Sequence, residues 1–244
     1  MVQKRGGGEG GGISPCKELQ RLVVLCSKIV AMIAPTSTDD EILAEMERVR
    51  VLYKLKYTMR YESARDMRVH SESVAEHLYS MQIISQYFLP LEDAGGKLDR
   101  VRINELILFH EIGEIETGDI LNSKKTDQHR AIEREAAERV AESLPESMRA
   151  LALERFHEFE QAASPEAVFV QAVDKIEPLF ELWDEQLALP LFKKHGIMRN
   201  VALDNKREAT TTFPYMRRFL EAWDSRAMAL DTFPVEPIQD RIAR

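Results

Sequence analysis

Cysteine, positive charge and long apolar runs are all scarce in this 244-residue sequence. Its only cysteines are Cys16 and Cys26. Two thiols cannot build a disulfide framework and suit a reducing compartment, so a cytoplasmic protein is expected. Lys and Arg total 33 against 41 Asp and Glu, a formal net charge of -8. That balance argues against a protein whose main task is gripping a polymeric nucleic acid, while a local basic pocket for a small phosphate stays open. The apolar stretch Leu19 to Ala34 is interrupted by Arg21 and Lys28 and is shorter than the roughly 20 residues of a membrane span, so no membrane partner is expected. A secretory leader runs from a basic start straight into an apolar core. Here GGGEGGG, Gly6 to Gly12, lies between the two. There is no GxGxxG, no P-loop, no CxxC pair and no repeat of 20–50 residues, and no segment alternates convincingly at period two.

What is present is helix after helix, and the fold class read from it is all-α, a compact multi-helix bundle. Residues 1–34 read as a flexible Gly-rich lead and an apolar helix, 35–230 as the main domain, and 231–244 as a tail. Thr38-Asp39-Asp40-Glu41 and Ser73-Val74-Ala75-Glu76 are capping boxes that open helices. Ser164-Pro165 combines a cap with a first-turn proline. Leu98 to Ile115 reads as one helix. Asp127 to Leu144 reads as another, with Ile132, Ala136 and Val140 inward. Pro178 should kink the helix after Ser164, Leu189-Pro190 should end it, and a last helix runs from about Pro214 to Ala229. Between Lys54 and Arg68 stand Lys54, Lys56, Arg60, Arg65 and Arg68. Such a run is either a solvated face or a place to meet an anionic substrate.

The stretch INELILFHEIGEIETGDIL, Ile103 to Leu121, carries the chemistry. Ile103, Leu106, Ile107, His110 and Glu114 recur at steps of three and four, so they share the face that should point at the core. A buried imidazole and carboxylate are costly unless paired. They satisfy each other, or a metal ion satisfies both. His77, three after Val74 and four before Met81, also faces inward, as does Asp174 among Val168, Val170, Val173 and Ile176. Two imidazoles and two carboxylates on three helices suit a borderline divalent cation such as Mn, Co, Fe, Ni or Zn. Neighbouring residues of a helix point about 100° apart, so His110 and Glu111 both reach one ion only at the flank of their helix.

The order His … His-acidic … Asp on helices resembles the HD-domain metal-dependent phosphohydrolases. The chain looks most like their 5'-deoxynucleotidase branch of YfbR-like and HD-domain-containing-2-like proteins. The resemblance rests on ESVAEH (Glu72–His77), FHEIGEIETGDI (Phe109–Ile120), HRAIEREAA (His129–Ala137) and SPEAVFVQAVDKIE (Ser164–Glu177), and covers about Asp40 to Ala229. It implies an HD-domain bundle, a homodimer, a small-molecule nucleotide substrate and one divalent metal ion, with Mg added to the metals above. It implies that His77, His110, Glu111 and Asp174 hold the metal and that Glu114 is the catalytic acid/base. Asp119 would lie near the substrate's sugar and Arg60 would bind its phosphate, with Lys175 and Glu177 in support. The implied reaction removes phosphate from nucleoside 5'-monophosphates, with deoxyribonucleotides expected as the substrates.

One position departs from the pattern. The family has His-Asp where this chain has His110-Glu111, which keeps the charge and adds a methylene. A catalytically weak, regulatory nucleotide- or metal-binding protein on the same scaffold is the alternative this leaves. His129 and His157 raise a second alternative, a two-metal HD phosphodiesterase or oxygenase. His129 falls in the single-metal motif, however, and His157 sits in ERFHEFEQ, a charged segment that reads as surface.

Overall fold

A computed structural model describes residues 36–50, 72–120 and 124–233, and the elements among them are helices. In chain order these are α1 (Asp39–Arg50), α2 (Val74–Glu92), α3 (Arg100–Phe109), the single-turn α4 (Glu114–Thr117) and α5 (Asp127–Ser143). There follow α6 (Glu146–Glu160), α7 (Pro165–Glu181), α8 (Glu185–His195), α9 (Arg199–Ala209) and α10 (Pro214–Ala229). The all-α class holds. Among the described residues no helix is long and apolar enough to cross a membrane. The helix expected near the N-terminus, the basic run with Arg60 and the sequence beyond Phe233 lie outside the described residues.

The helix starts are where the side chains put them. Glu41 N donates to Thr38 Oγ1 at 3.3 Å while Thr38 N donates to Glu41 Oε2 at 2.8 Å. Ser73 and Glu76 repeat that exchange at 3.2 and 2.8 Å, and Ala167 N donates to Ser164 Oγ at 3.0 Å. Each such cap contributes about 1 kcal/mol. Helix α7 is the centre of the bundle. It packs on α2, α3, α6, α9 and α10, and from Ala167 to Glu181 it buries a nearly continuous apolar surface. Phe88 of α2, Phe180 of α7 and Phe219 of α10 are fully buried. Phe88 meets Phe219 edge-on at 5.0 Å, and Phe180 stacks on Phe219 at 6.1 Å. A second cluster, including Phe109, Val140 and Phe156, joins α3, α5 and α6.

Four sequence expectations are corrected. The helix expected from Leu98 to Ile115 stops at Phe109. From there the backbone winds more tightly, with Ile112 N on Phe109 O and Glu114 N on Glu111 O, bonds that span three residues instead of four. Ile132 is 45% exposed, and Glu133 faces inward in its place because Lys125 pairs with it there. Pro190 lies inside α8, and the break falls earlier, at Leu182, which caps α7. ERFHEFEQ is not simply surface. Glu158 is buried and accepts from Arg102 at 2.7 Å, from Arg155 at 2.9 Å and from Ser164. Helix α9 had no counterpart among the expected helices, since Leu203 is its one fully buried residue.

Two glycines shape the chain around α4. Gly118 takes φ 70° and ψ 160°, a region that residues with a Cβ avoid. Gly113 lies hard against α5, where an added Cβ would stand 2.6 Å from the carbonyl oxygen of Glu133. Backbone cannot yield as a flexible side chain does. Gly113→Ala is therefore expected to push α4 off α5 and cost about 1–3 kcal/mol. Thermal denaturation reads this directly, and an unchanged Tm would contradict the close approach.

Candidate metal centre

His77 enters the site from the first turn of α2, which the Ser73–Glu76 box holds in place. Its Nε2 lies 3.2 Å from Asp174 Oδ1 and its Nδ1 3.1 Å from Glu177 Oε2. Asp174 and Glu177 are three residues apart on α7, hence on one face. Asp174 also accepts from Lys175 Nζ at 2.5 Å. Pro178 has no N–H, so the Asp174 carbonyl lacks its usual helical donor one turn on.

His110 arrives from the end of α3 and is 2% exposed. Its Nδ1 lies 2.9 Å from the carbonyl oxygen of Ile107. A carbonyl only accepts, so Nδ1 carries the proton and Nε2 presents a lone pair. That Nε2 is buried with no hydrogen-bond partner. Glu111 Oε1 stands 3.4 Å away, and once ionised it has no proton to give. Two acceptors facing each other across a buried gap is an arrangement a cation resolves. Donor atoms of His77, His110, Glu111 and Asp174 all lie within 4.8 Å of one another. The chemistry of this set fits a divalent ion.

The electrostatics point the same way. Burial by itself would lower the pKa of His77, but its hydrogen bonds and charge interactions with Asp174 and Glu177 prevail and raise it to about 11. Burial, aided by the charge of His77, lowers His110 to about 4 and keeps it neutral. Burial and the charge of Asp174 raise Glu111 to about 7. Burial, then Glu111 and Asp119, raise Glu114 to about 8. For Asp174 burial acts upward, yet Lys175, His77 and His110 hold its carboxyl well below the usual range. Glu111 and Glu114, crowded in this way, retain protons unless a cation is supplied.

Glu114 stands on α4, one tight turn beyond Glu111, with its carboxylate largely buried. Lys125 reaches in from the segment before α5, where Thr126 caps the helix. Its Nζ lies 2.6 Å from Glu133 Oε2 and 3.8 Å from Glu114 Oε1. Glu111, Glu114 and Glu133 form a second acidic group, and the Lys125 ammonium already serves it. His129 Nδ1 accepts from Thr126 N at 3.2 Å, so this ring acts in a helix cap. His157 stacks edge-on with Phe156 at 5.6 Å. Among the described residues neither histidine joins a metal-ligating cluster.

A cleft of ≈ 320 Å³ opens over the group, lined by His77, Glu111, Glu114, Asp119 and Asp174 among others. An apolar cleft of ≈ 290 Å³ adjoins it, walled by Leu179, Leu191, Phe192 and Val201. The two share Glu72, Asp119, Pro178, Asn205 and Lys206. A third cleft of ≈ 410 Å³, reached past His110, Arg130 and Gln171, shares Glu111, Lys125, Asp174 and Lys175 with the first. Asp119 is exposed and borders both the first cleft and the apolar one. Lys125, Glu133, Asn205 and Lys206 were not singled out from sequence, because a turn lysine or a lysine on a polar helix carries no signal until the fold aims it.

The HD_3 family, described as an HD domain, matches residues 52–195, the span that holds all four clustered donors. The chain belongs to the HD-domain family. This HD protein is similar to the human 5'-deoxynucleotidase HDDC2, 33% identical over 45% of the chain and 52% of the relative. It is similar to the mouse protein of the same name, 32% identical over 45% of the chain and 54% of the relative. To Escherichia coli 5'-deoxynucleotidase YfbR it is 27% identical, over 40% of the chain and 52% of the relative. The chain thus spans about half the length of these curated relatives. Its fold matches the crystal structure of a predicted metal-dependent phosphohydrolase from Magnetospirillum magnetotacticum MS-1, with TM-score 0.56 and 22% identity over 90% of this HD chain and 98% of the other.

The pKa shifts set a pH dependence. Folded, metal-free His77 keeps its proton to about pH 11, against an ordinary value of 6.5. Glu111 and Glu114 keep theirs to about 7 and 8, against 4.5. All three bind protons more tightly when folded, so raising the pH removes stability. Between pH 6.5 and 8 the metal-free Tm is expected to fall, while a bound dication replaces those protons and flattens the profile. Melts with and without chelator test this, and a metal-free Tm that climbs across the window would contradict it.

Proposed function

We propose that this chain is a divalent-metal-dependent phosphohydrolase acting on nucleoside 5'-monophosphates, with deoxyribonucleotides as the substrate class. The observation that carries the reading is the buried, partnerless His110 Nε2 amid donors from His77, Glu111 and Asp174, with Glu114 beside them in an open cleft. The relatives named 5'-deoxynucleotidase supply the substrate class. His77, His110, Glu111 and Asp174 are the proposed ligands of one ion, from among Mn, Co, Fe, Ni, Zn and Mg.

Water attacks phosphorus, the bond to the nucleoside's 5' oxygen breaks, and inorganic phosphate and a nucleoside result. The ion, when bound, supplies Lewis acidity and acidifies water. Glu114 takes the proton of the attacking water. A carboxyl with its pKa pushed up into the neutral range is suited to hold that proton and pass it to the leaving oxygen. Lys125, 3.8 Å from Glu114 Oε1, steadies the carboxylate. Glu177 fixes the ring of His77 through Nδ1, leaving Nε2 toward the group. Asp119 faces the sugar, and Arg60, from the basic segment, binds the phosphate. The chain acts as a cytoplasmic homodimer, with residues 35–230 as the catalytic domain.

An observation bears on Glu111. Its carboxylate belongs to the gathered donor set as it stands, at the start of a tightened turn. The longer side chain reads as part of a working site, which counts against the regulatory reading. Glu111→Asp withdraws the carboxylate by about one C–C bond, ~1.5 Å, and is expected to lower kcat/KM. Raised activity would favour the crippled-site reading. Glu114→Gln is expected to cut kcat about 100-fold or more in a manganese-loaded phosphate-release assay with dAMP. Asp174→Ala is expected to lose bound metal by elemental analysis. Metal-loaded wild-type protein that releases phosphate from no nucleotide of a mono-, di- and triphosphate panel would sink the proposal.

A further inference from the structure

Asn205 and Lys206 lie on α9, beyond the residues matched to the family and outside every role assigned above. Both line the metal cleft and the apolar cleft, so they stand at the waist between them. The other nearby cations are engaged. Lys125 pairs with Glu133, Lys175 with Asp174, Arg199 with Asp224, and Arg207 with Asp204 and Asp224. Lys206 has no ion pair among the described residues, although it is half-buried and close enough to feel Asp174, Glu177 and Lys175. The Oδ1 of Asn205 is buried with no hydrogen-bond partner. A buried acceptor without a partner and a half-buried ammonium without a counter-ion, side by side on the lining of a cleft, suit a ligand that brings a donor and an anion.

The backbone that carries them is held firmly. Leu203 anchors α9 in the core. The carbonyl of Lys206 accepts from Thr210 Oγ1 at 2.7 Å, and the carbonyl of Arg207 accepts from Arg217 at 2.6 Å. Neither side chain is needed to hold the helix.

We infer that Asn205 and Lys206 form a substrate subsite at this waist, Lys206 holding a phosphoryl oxygen and Asn205 accepting a hydrogen bond from the leaving alcohol. The inference rests on the phosphohydrolase reading and extends it. The substrate spans both clefts, with its phosphoryl group at the metal end and an apolar-faced body bearing an O–H or N–H donor between α7, α8 and α9. A nucleoside has that character.

Inorganic phosphate and deoxyadenosine, the two halves of the proposed product, probe the subsite separately by calorimetry on manganese-loaded protein. K206M is expected to weaken phosphate binding about 10-fold or more, as loss of a charge-assisted hydrogen bond does, and K206R to recover most of it. N205A is expected to weaken deoxyadenosine binding while leaving phosphate binding within about 2-fold, because it removes an acceptor and no charge. K206Q serves the same purpose if K206M fails to fold, with unchanged manganese content and Tm as the control. Phosphate binding equal in wild type, K206M and K206Q overturns the role of Lys206. Deoxyadenosine binding unchanged in N205A overturns that of Asn205. Wild-type protein that binds no phosphate and hydrolyses no nucleotide overturns the phosphohydrolase reading itself.

Discussion

Asp174 and Glu177 grip both ring nitrogens of His77 from one face of α7, and the rest of the structure is arranged so that they can. To present two carboxylates inward at that level, α7 needs apolar packing on nearly every other side. Helices α2, α3, α6, α9 and α10 provide it. The Phe88–Phe180–Phe219 cluster fixes α2 and α10 against α7 a turn away from the site. Burial here supplies position as well as stability: a carboxylate placed by a rigid, fully packed helix has little freedom to drift.

The charge pattern explains why so many acids tolerate one another. Glu111, Glu114, Glu133 and Asp174 converge within a small volume. Lys125 and Lys175 offset part of that charge, each within hydrogen-bonding distance of one acid. What is left over, with Glu111 ionised, is the acceptor-to-acceptor gap between His110 Nε2 and Glu111 Oε1. A protein that needed only stability would have no use for such a gap. Replacing these groups by apolar ones of the same volume would cost less than keeping them.

Much of this was legible in the sequence, and the rest was hidden for identifiable reasons. The capping residues Thr38, Ser73 and Ser164 and the limits of α10 could be read because they are local chemistry. His77, His110, Glu111 and Asp174 could be picked out because each interrupts an apolar face, and the structure brings them together. The face of α5 was misjudged by one residue, since Glu133 is drawn inward by a lysine from a turn that periodicity does not see. The end of α3 at Phe109 was missed because the tightening after it depends on Gly113 meeting α5. Helix α9 was overlooked because its value lies in what it brings to the clefts, while Leu203 alone anchors it in the core. Arg60 falls in a segment outside the described residues.

The cleft behind the donor group has a mechanical consequence. Glu111, Lys125, Asp174 and Lys175 border open space on two sides, so these side chains form a partition between two clefts, rooted for Asp174 and Lys175 in the packed helix α7. Beyond the helix backbone, its stiffness comes from bonds among its side chains and their neighbours: Asp174 to Lys175, Asp174 to His77, His77 to Glu177, and Lys125 to Glu133. Removing one of them loosens a wall that two cavities share, and the slack is felt on both faces at once.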